Sequence, residues 1–263
     1  EGDQILSSVL PGGVYSHLLS DKHSGWLSSP AFDYDMKSIY LRVAGDGSAK
    51  ARYVVRGYPR SGTVYPVHTM GGGQWRWVRW DVSYWRGDRG YLELSTGADQ
   101  AVLTNTRADR SWLGVTQVVF ASDEQVRAGA VPKDHMAEFA EPLFEAARTA
   151  PPATAVDLAK LYAEVAARCA RAWQAGAVTD SQAHFLSALV RGGLLPAKLS
   201  ELPALSKQVA EYRRLEAGVP VPTRSPGILE AEPVAQAMFI RGDHKQPGAP
   251  VARRFLEAID AKP

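Results

Sequence analysis

QWRWVRWDVSYWRGDRGYLEL, residues 74–94, is the stretch on which the fold turns. It holds four of the chain's seven tryptophans: Trp75, Trp77, Trp80 and Trp85. From residue 74 to residue 82 the side chains alternate. Gln74, Arg76, Val78, Trp80 and Val82 share one face, while Trp75, Trp77, Arg79 and Asp81 share the other. A period of two in an aromatic-rich run predicts a strand. Arg86-Gly87-Asp88 supplies a turn, and residues 90–95 follow as a second strand. A two-stranded ribbon is marginal in water by itself, so this one belongs to a larger sheet.

Working outward, residues 14–19, 25–32, 38–44, 51–56 and 116–120 are further strand candidates. Turn chemistry separates them at Asp46-Gly47, at Tyr58-Pro59-Arg60-Ser61-Gly62 and at the Gly71-Gly72-Gly73 run. Short strands at this spacing, with no helical pattern between them, predict a β-sandwich of jelly-roll type over residues 1–125. The fold class read here is therefore mainly β with an α-helical appendage.

The appendage spans residues 126–218. Residues 134–148 are rich in alanine and glutamate and predict a helix, with Pro142 starting or kinking a segment. Ala150-Pro151-Pro152-Ala153 is a stiff break, after which Thr154 is a natural N-cap with Asp157 in the first turn. Leu158, Leu161, Tyr162, Val165, Cys169, Ala172 and Trp173 then recur at helical spacing, and Gly176 ends the run. Thr179 with Gln182 reads as a capping box opening a second helix. A third begins near Ser200, carries Leu205, Val209, Tyr212 and Leu215, and closes at Gly218. Residues 219–263 form a proline-rich tail that should run mostly extended along a host surface. A short strand is expected at 237–240 and a short helix at 253–259.

Composition bounds the function. With 263 residues, 45% hydrophobic and 22% charged, the chain is an ordinary globular one with room for a real core. A formal net charge of +2 makes no electrostatic case for nucleic acid or an anionic membrane. No apolar run approaches the roughly 20 residues that span a bilayer. The single cysteine, Cys169, excludes an intrachain disulfide, a multi-cysteine zinc cluster and a Cys-x-x-Cys-His haem site. No cofactor is expected.

Candidate sites follow from chemistry. Sugar rings stack their apolar faces on tryptophan or tyrosine, while arginine and histidine bind hydroxyls. Trp75, Trp77 and Arg79 share a face, and Tyr58, Tyr65 and His68 lie in the loop-rich stretch before them. These six residues make a candidate glycan platform. The plain alternative is that the aromatics supply buried area, with Val78, Trp80 and Val82 in the core and Trp77 covered by the helices. His17, Asp21 and His23 are too few to announce a metal site, and turn hydrogen bonding is the expected use of that segment. The two Arg-Gly-Asp tripeptides, at 86–88 and 241–243, sit where turns are wanted. His244, with Arg253 and Arg254 nearby, lacks a nucleophile or partner carboxylate in view. The segment reads as a docking surface for a neighbouring domain. Nucleophile-elbow, dinucleotide and phosphate-loop signatures are absent from the sequence.

Three stretches carry a resemblance: HLLSDKHSGWLSSPAF at 17–32, WVRWDVSYWRGDRGYLEL at 77–94 and FIRGDHKQPGAPVARRFL at 239–256. Together they resemble the central region of large planctomycete proteins that bear cytochrome-associated domains of unknown function. The resemblance implies an internal segment of a longer exported protein, periplasmic or extracellular. It also implies a concanavalin-like or jelly-roll sandwich of the sort found beside glycan-degrading enzymes, with flanking domains as partners. Without Cys-x-x-Cys-His, the family's haem chemistry does not come to this chain. The expectation is a non-catalytic β-sandwich module that binds polysaccharide through its aromatic face. The alternatives are an architectural segment that positions flanking domains, or a contributor to an active site shared with them.

Overall fold

A computed structural model describes residues 2–23, 25–55, 67–97, 110–134, 138–221, 237–243 and 245–251. Two compact units divide the chain, residues 1–224 and residues 225–263.

Among the described residues of the first unit nine strands come in order: β1 (Val14–Tyr15), β2 (Trp26–Ser28), β3 (Phe32–Asp33), β4 (Ser38–Asp46) and β5 (Lys50–Val55). Then follow β6 (His68–Thr69), β7 (Arg76–Asp81), β8 (Arg89–Ser95) and β9 (Trp112–Ala121). They form two antiparallel sheets. One runs β1-β9-β4-β7; the other runs β2-β8-β5-β6, with β3 also on β8. The alternation read in residues 74–82 is realised from Val78 on, where Val78, Trp80 and Val82 are buried and Arg79 and Asp81 are exposed; Gln74, read on the buried face, precedes the strand and is exposed. Ile39, Leu41, Val43, Val78 and Trp80 from the first sheet meet Ala51, Tyr53, Val55, Leu92 and Leu94 from the second in one core. Trp85 closes it, donating from its indole N–H to the Tyr53 hydroxyl at 3.2 Å. The Arg86–Asp88 turn places Gly87 at φ 84°, a left-handed position that glycine fills without a Cβ penalty.

Among the described residues five helices follow: α1 (Asp123–Arg127), α2 (Glu141–Thr149), α3 (Ala155–Gln174), α4 (Asp180–Arg191) and α5 (Ser206–Ala217). The fold is thus β-rich with a helical part. Thr154 caps α3 by accepting from the Asp157 N–H at 3.1 Å, and Thr179 with Gln182 makes a reciprocal capping box on α4. Pro142 sits in the first turn of α2, where its missing N–H costs nothing. A second core gathers Leu143, Val165, Cys169, Phe185, Leu186 and Leu189, with Val9 of the N-terminal segment completing it. Val9 is held there by Ser187, whose hydroxyl accepts from its N–H and donates to its C=O, both at 2.8 Å.

The helical stripe of α3 is only half used: Val165 and Cys169 are buried, but Trp173 is 50% exposed. Helix α5 buries none of its residues. It is fastened by polar bonds to the loop after β1. Tyr212 donates to the Leu19 C=O at 3.0 Å, and Ser20 donates to Glu216 at 2.7 Å. None of the described helices is long and apolar enough to cross a membrane.

The second unit is described at 237–243 and 245–251. There β10 (Ala237–Phe239) pairs antiparallel with β11 (Pro247–Pro250) across a turn at Ile240–Gly242. Asp243 closes the turn, accepting from the Lys245 N–H at 2.9 Å. The helix expected at 253–259 lies outside the described residues.

Candidate functional site

Sheet register builds the site. Arg42 of β4 stands opposite Trp77 of β7 on one side and Gln117 of β9 on the other, so the three form a row across the outer face of the first sheet. Directly opposite residues on neighbouring strands share a face, which is why three distant stretches of sequence meet here. A bulge between Arg42 and Val43 takes up one extra residue of β9. It lets Val115 lie against the core while Gln117 faces outward.

The helical part closes over this row. Glu138 forms an ion pair with Arg42, and Asp134 lies 3.8 Å from the same guanidinium. Asp134 also accepts from the Trp77 backbone N–H at 2.9 Å. That bond satisfies an edge-strand donor that would otherwise be open to pairing. At the start of α4, Asp180 accepts from the Gln117 side-chain amide at 3.1 Å. One turn on, His184 meets the edge of Trp75 at 6.4 Å between ring centroids. Residues four apart on a helix lie on one face, so α4 presents Asp180 and His184 to the sheet together. Burial pushes the His184 imidazole below its ordinary value, against the pull of Glu138 and Asp180.

The result is a pocket of about 230 Å³ lined by Trp77, Arg42, Gln117, Glu138 and Asp180 together with residues 131–133. Arg42 is 6% exposed, and its guanidinium carbon sits 5.6 Å from the Trp77 ring centroid. Trp77 itself is half-buried.

The residues read from sequence divide. Trp77 lines the pocket. Trp75 does not: it is half-buried, edge-on to Tyr15 at 6.0 Å as well as against His184. Gly114 makes that packing possible, since a Cβ there would stand 2.8 Å from the Tyr15 ring and 3.3 Å from Trp75. Arg79 is exposed one row along, over Tyr40 and donating to the Ser38 hydroxyl at 3.3 Å. His68 is on β6 in the other sheet, its Nε2 buried without a hydrogen bond. Burial and the nearby Arg76 both push its pKa down. Tyr58 and Tyr65 lie outside the described residues, as do His244, Arg253 and Arg254. His17 stacks on Trp112 at 4.2 Å, and Asp21 pairs with Arg110 at 3.5 Å. Among the described residues no group of three metal-ligating side chains converges.

Sequence reasoning missed Arg42, Gln117, Glu138 and Asp180. The usable signal was an arginine and a glutamine in otherwise apolar strands. Their convergence on Trp77 depends on register, which one strand's sequence does not carry.

A second buried charge pair lies on the other sheet. Arg52 donates from Nε to Glu93 at 2.7 Å on the face opposite the core, and Glu93 is 2% exposed. Burial pushes the Glu93 carboxyl up, and Arg52 opposes it. No family model matches the chain, and no curated protein matches it.

Proposed function

We propose that residues 1–224 form a non-catalytic carbohydrate-binding module, with the pocket at Trp77 as its site. The supporting observation is the lining: one partly open indole beside a guanidinium, an amide and two carboxylates. Hydroxyl-rich, uncharged ligands with an apolar ring face match that mixture of donors, acceptors and aromatic surface. On this reading the two facing sheets are a β-sandwich of jelly-roll or concanavalin-like type. The module's place in an exported multidomain protein rests on the resemblance of residues 17–32, 77–94 and 239–256.

The test is a glycan array and an insoluble-polysaccharide pull-down, with Trp77→Ala beside the parent chain and circular dichroism to check folding. Loss of binding in a folded Trp77→Ala protein is the expected result. Retained binding in that variant would move the site elsewhere, and no binding by the parent chain would end the reading.

An architectural role is the second reading, and the bare helices favour it. Leu205, Tyr212 and Leu215 around α5 and Trp173 on α3 are all exposed. Apolar side chains left open on two helices suit contact with a flanking domain.

A further inference from the structure

The pocket at Trp77 differs in kind from a platform. A platform stacks successive rings of a glycan on tryptophans laid side by side. Here Trp75 is taken up by Tyr15 and His184, and Trp77 is the one indole in the lining. At about 230 Å³ the space also falls below the roughly 300–1,000 Å³ typical of sites for drug-sized molecules. That is room for a ligand of about one ring.

Charge narrows the choice again. Among the described residues the lining brings two cations, Arg42 and Lys133, and two carboxylates, Glu138 and Asp180. Glu138 is already committed to the buried Arg42, and Asp180 accepts from Gln117. An anionic ligand has to compete with Glu138 for Arg42 and meets the Asp180 carboxylate beside Lys133. A cationic one meets Lys133, which has no ion-pair partner among the described residues. An uncharged ligand rich in hydroxyls finds donors and acceptors and leaves the balance of two cations and two carboxylates undisturbed.

We propose, resting on the carbohydrate-binding reading, that the pocket takes a single uncharged sugar residue at the end of a glycan chain. Size disfavours chain interiors, and a lining that balances two cations against two carboxylates disfavours charged sugars.

Titration calorimetry on the 263-residue chain tests this. The probes are glucose, galactose, mannose and xylose, their linear tri- and hexasaccharides, and galacturonic acid and glucosamine as charged analogues. One neutral monosaccharide should bind with a dissociation constant on the order of millimolar, as its few heavy atoms allow. Its hexasaccharide should bind within about threefold of it, and the charged analogues about tenfold more weakly. Lys133→Ala, at an exposed position, should recover glucosamine binding without affecting the fold. Affinity rising tenfold or more from monosaccharide to hexasaccharide, or a preference for a charged sugar, would overturn the chain-end assignment and leave carbohydrate binding standing. Failure of every sugar, chain lengths included, would overturn both.

Discussion

Asp81 illustrates how one side chain ties a strand to the turn that follows it. It accepts from the Ser83 N–H at 3.1 Å and the Ser83 hydroxyl at 2.6 Å, and pairs with Lys37 at 3.0 Å. Partial burial pushes its carboxyl up, but the bonds from Ser83 and Lys37 outweigh this and hold it at about 2. The folded value lies below the unfolded one. The carboxylate therefore stabilises the fold above its unfolded value and loses that contribution as pH falls through about 4 toward 2. The side chain is 47% exposed, so solvent screening reduces the contribution to about 1 kcal/mol. Asp81→Asn should cost about that much near neutral pH in urea unfolding, and the gap should close near pH 2. Equal gaps at both pH values would refute the electrostatic account. At this scale much was legible from sequence. Alternation alone put Val78, Trp80 and Val82 on one face and Arg79 and Asp81 on the other. What stayed hidden is which residue lies across the strand: the same alternation leaves Trp75 and Trp77 equivalent, whereas the structure packs one against Tyr15 and turns the other to the pocket.

Among the elements, α4 carries the most. Its inner face feeds Phe185, Leu186 and Leu189 to the helical core, and its first two turns give Asp180 and His184 to the sheet. Its start is set by the Thr179 capping box, with the Gln182 side chain accepting from the Thr179 N–H at 3.0 Å. Thr179→Ala should lower stability by about 1 kcal/mol in thermal unfolding, while Thr179→Ser should stay near the parent value. Both variants unfolding alike would mean that the hydroxyl is idle. Caps were legible because they are local: Thr154 and Thr179 announce themselves within four residues. The same logic would have found α1, whose Ser122–Gln125 capping box went unread because the helix is too short to show periodicity. The start of the last helix was misplaced for a related reason. Pro203 opens a 3-10 turn at Pro203–Leu205, and α5 begins only at Ser206.

In the 1–224 unit, two apolar cores stand apart with no buried residue in common. Polar and aromatic contacts bridge them: Arg42 to Glu138, Trp77 to Asp134, Gln117 to Asp180 and Trp75 to His184. Such contacts are worth less per residue than a shared core. The helical signal at 222 nm should therefore fall at lower denaturant than the near-ultraviolet signal of the strand tryptophans. Coincident transitions would show that the bridge couples the cores into one cooperative unit. The sequence showed both compositions, β before residue 122 and helical after it, yet not this seam, because the seam is made by strand register and helix placement together. Cys169 turns the seam into something that can be timed. It is the chain's lone thiol, fully shielded in the helical core, and burial raises its pKa. A thiol reagent can modify it only while the helices are open. Modification kinetics across reagent concentration therefore give the opening rate and opening free energy of that core in the intact native protein, with the strands serving as a silent background.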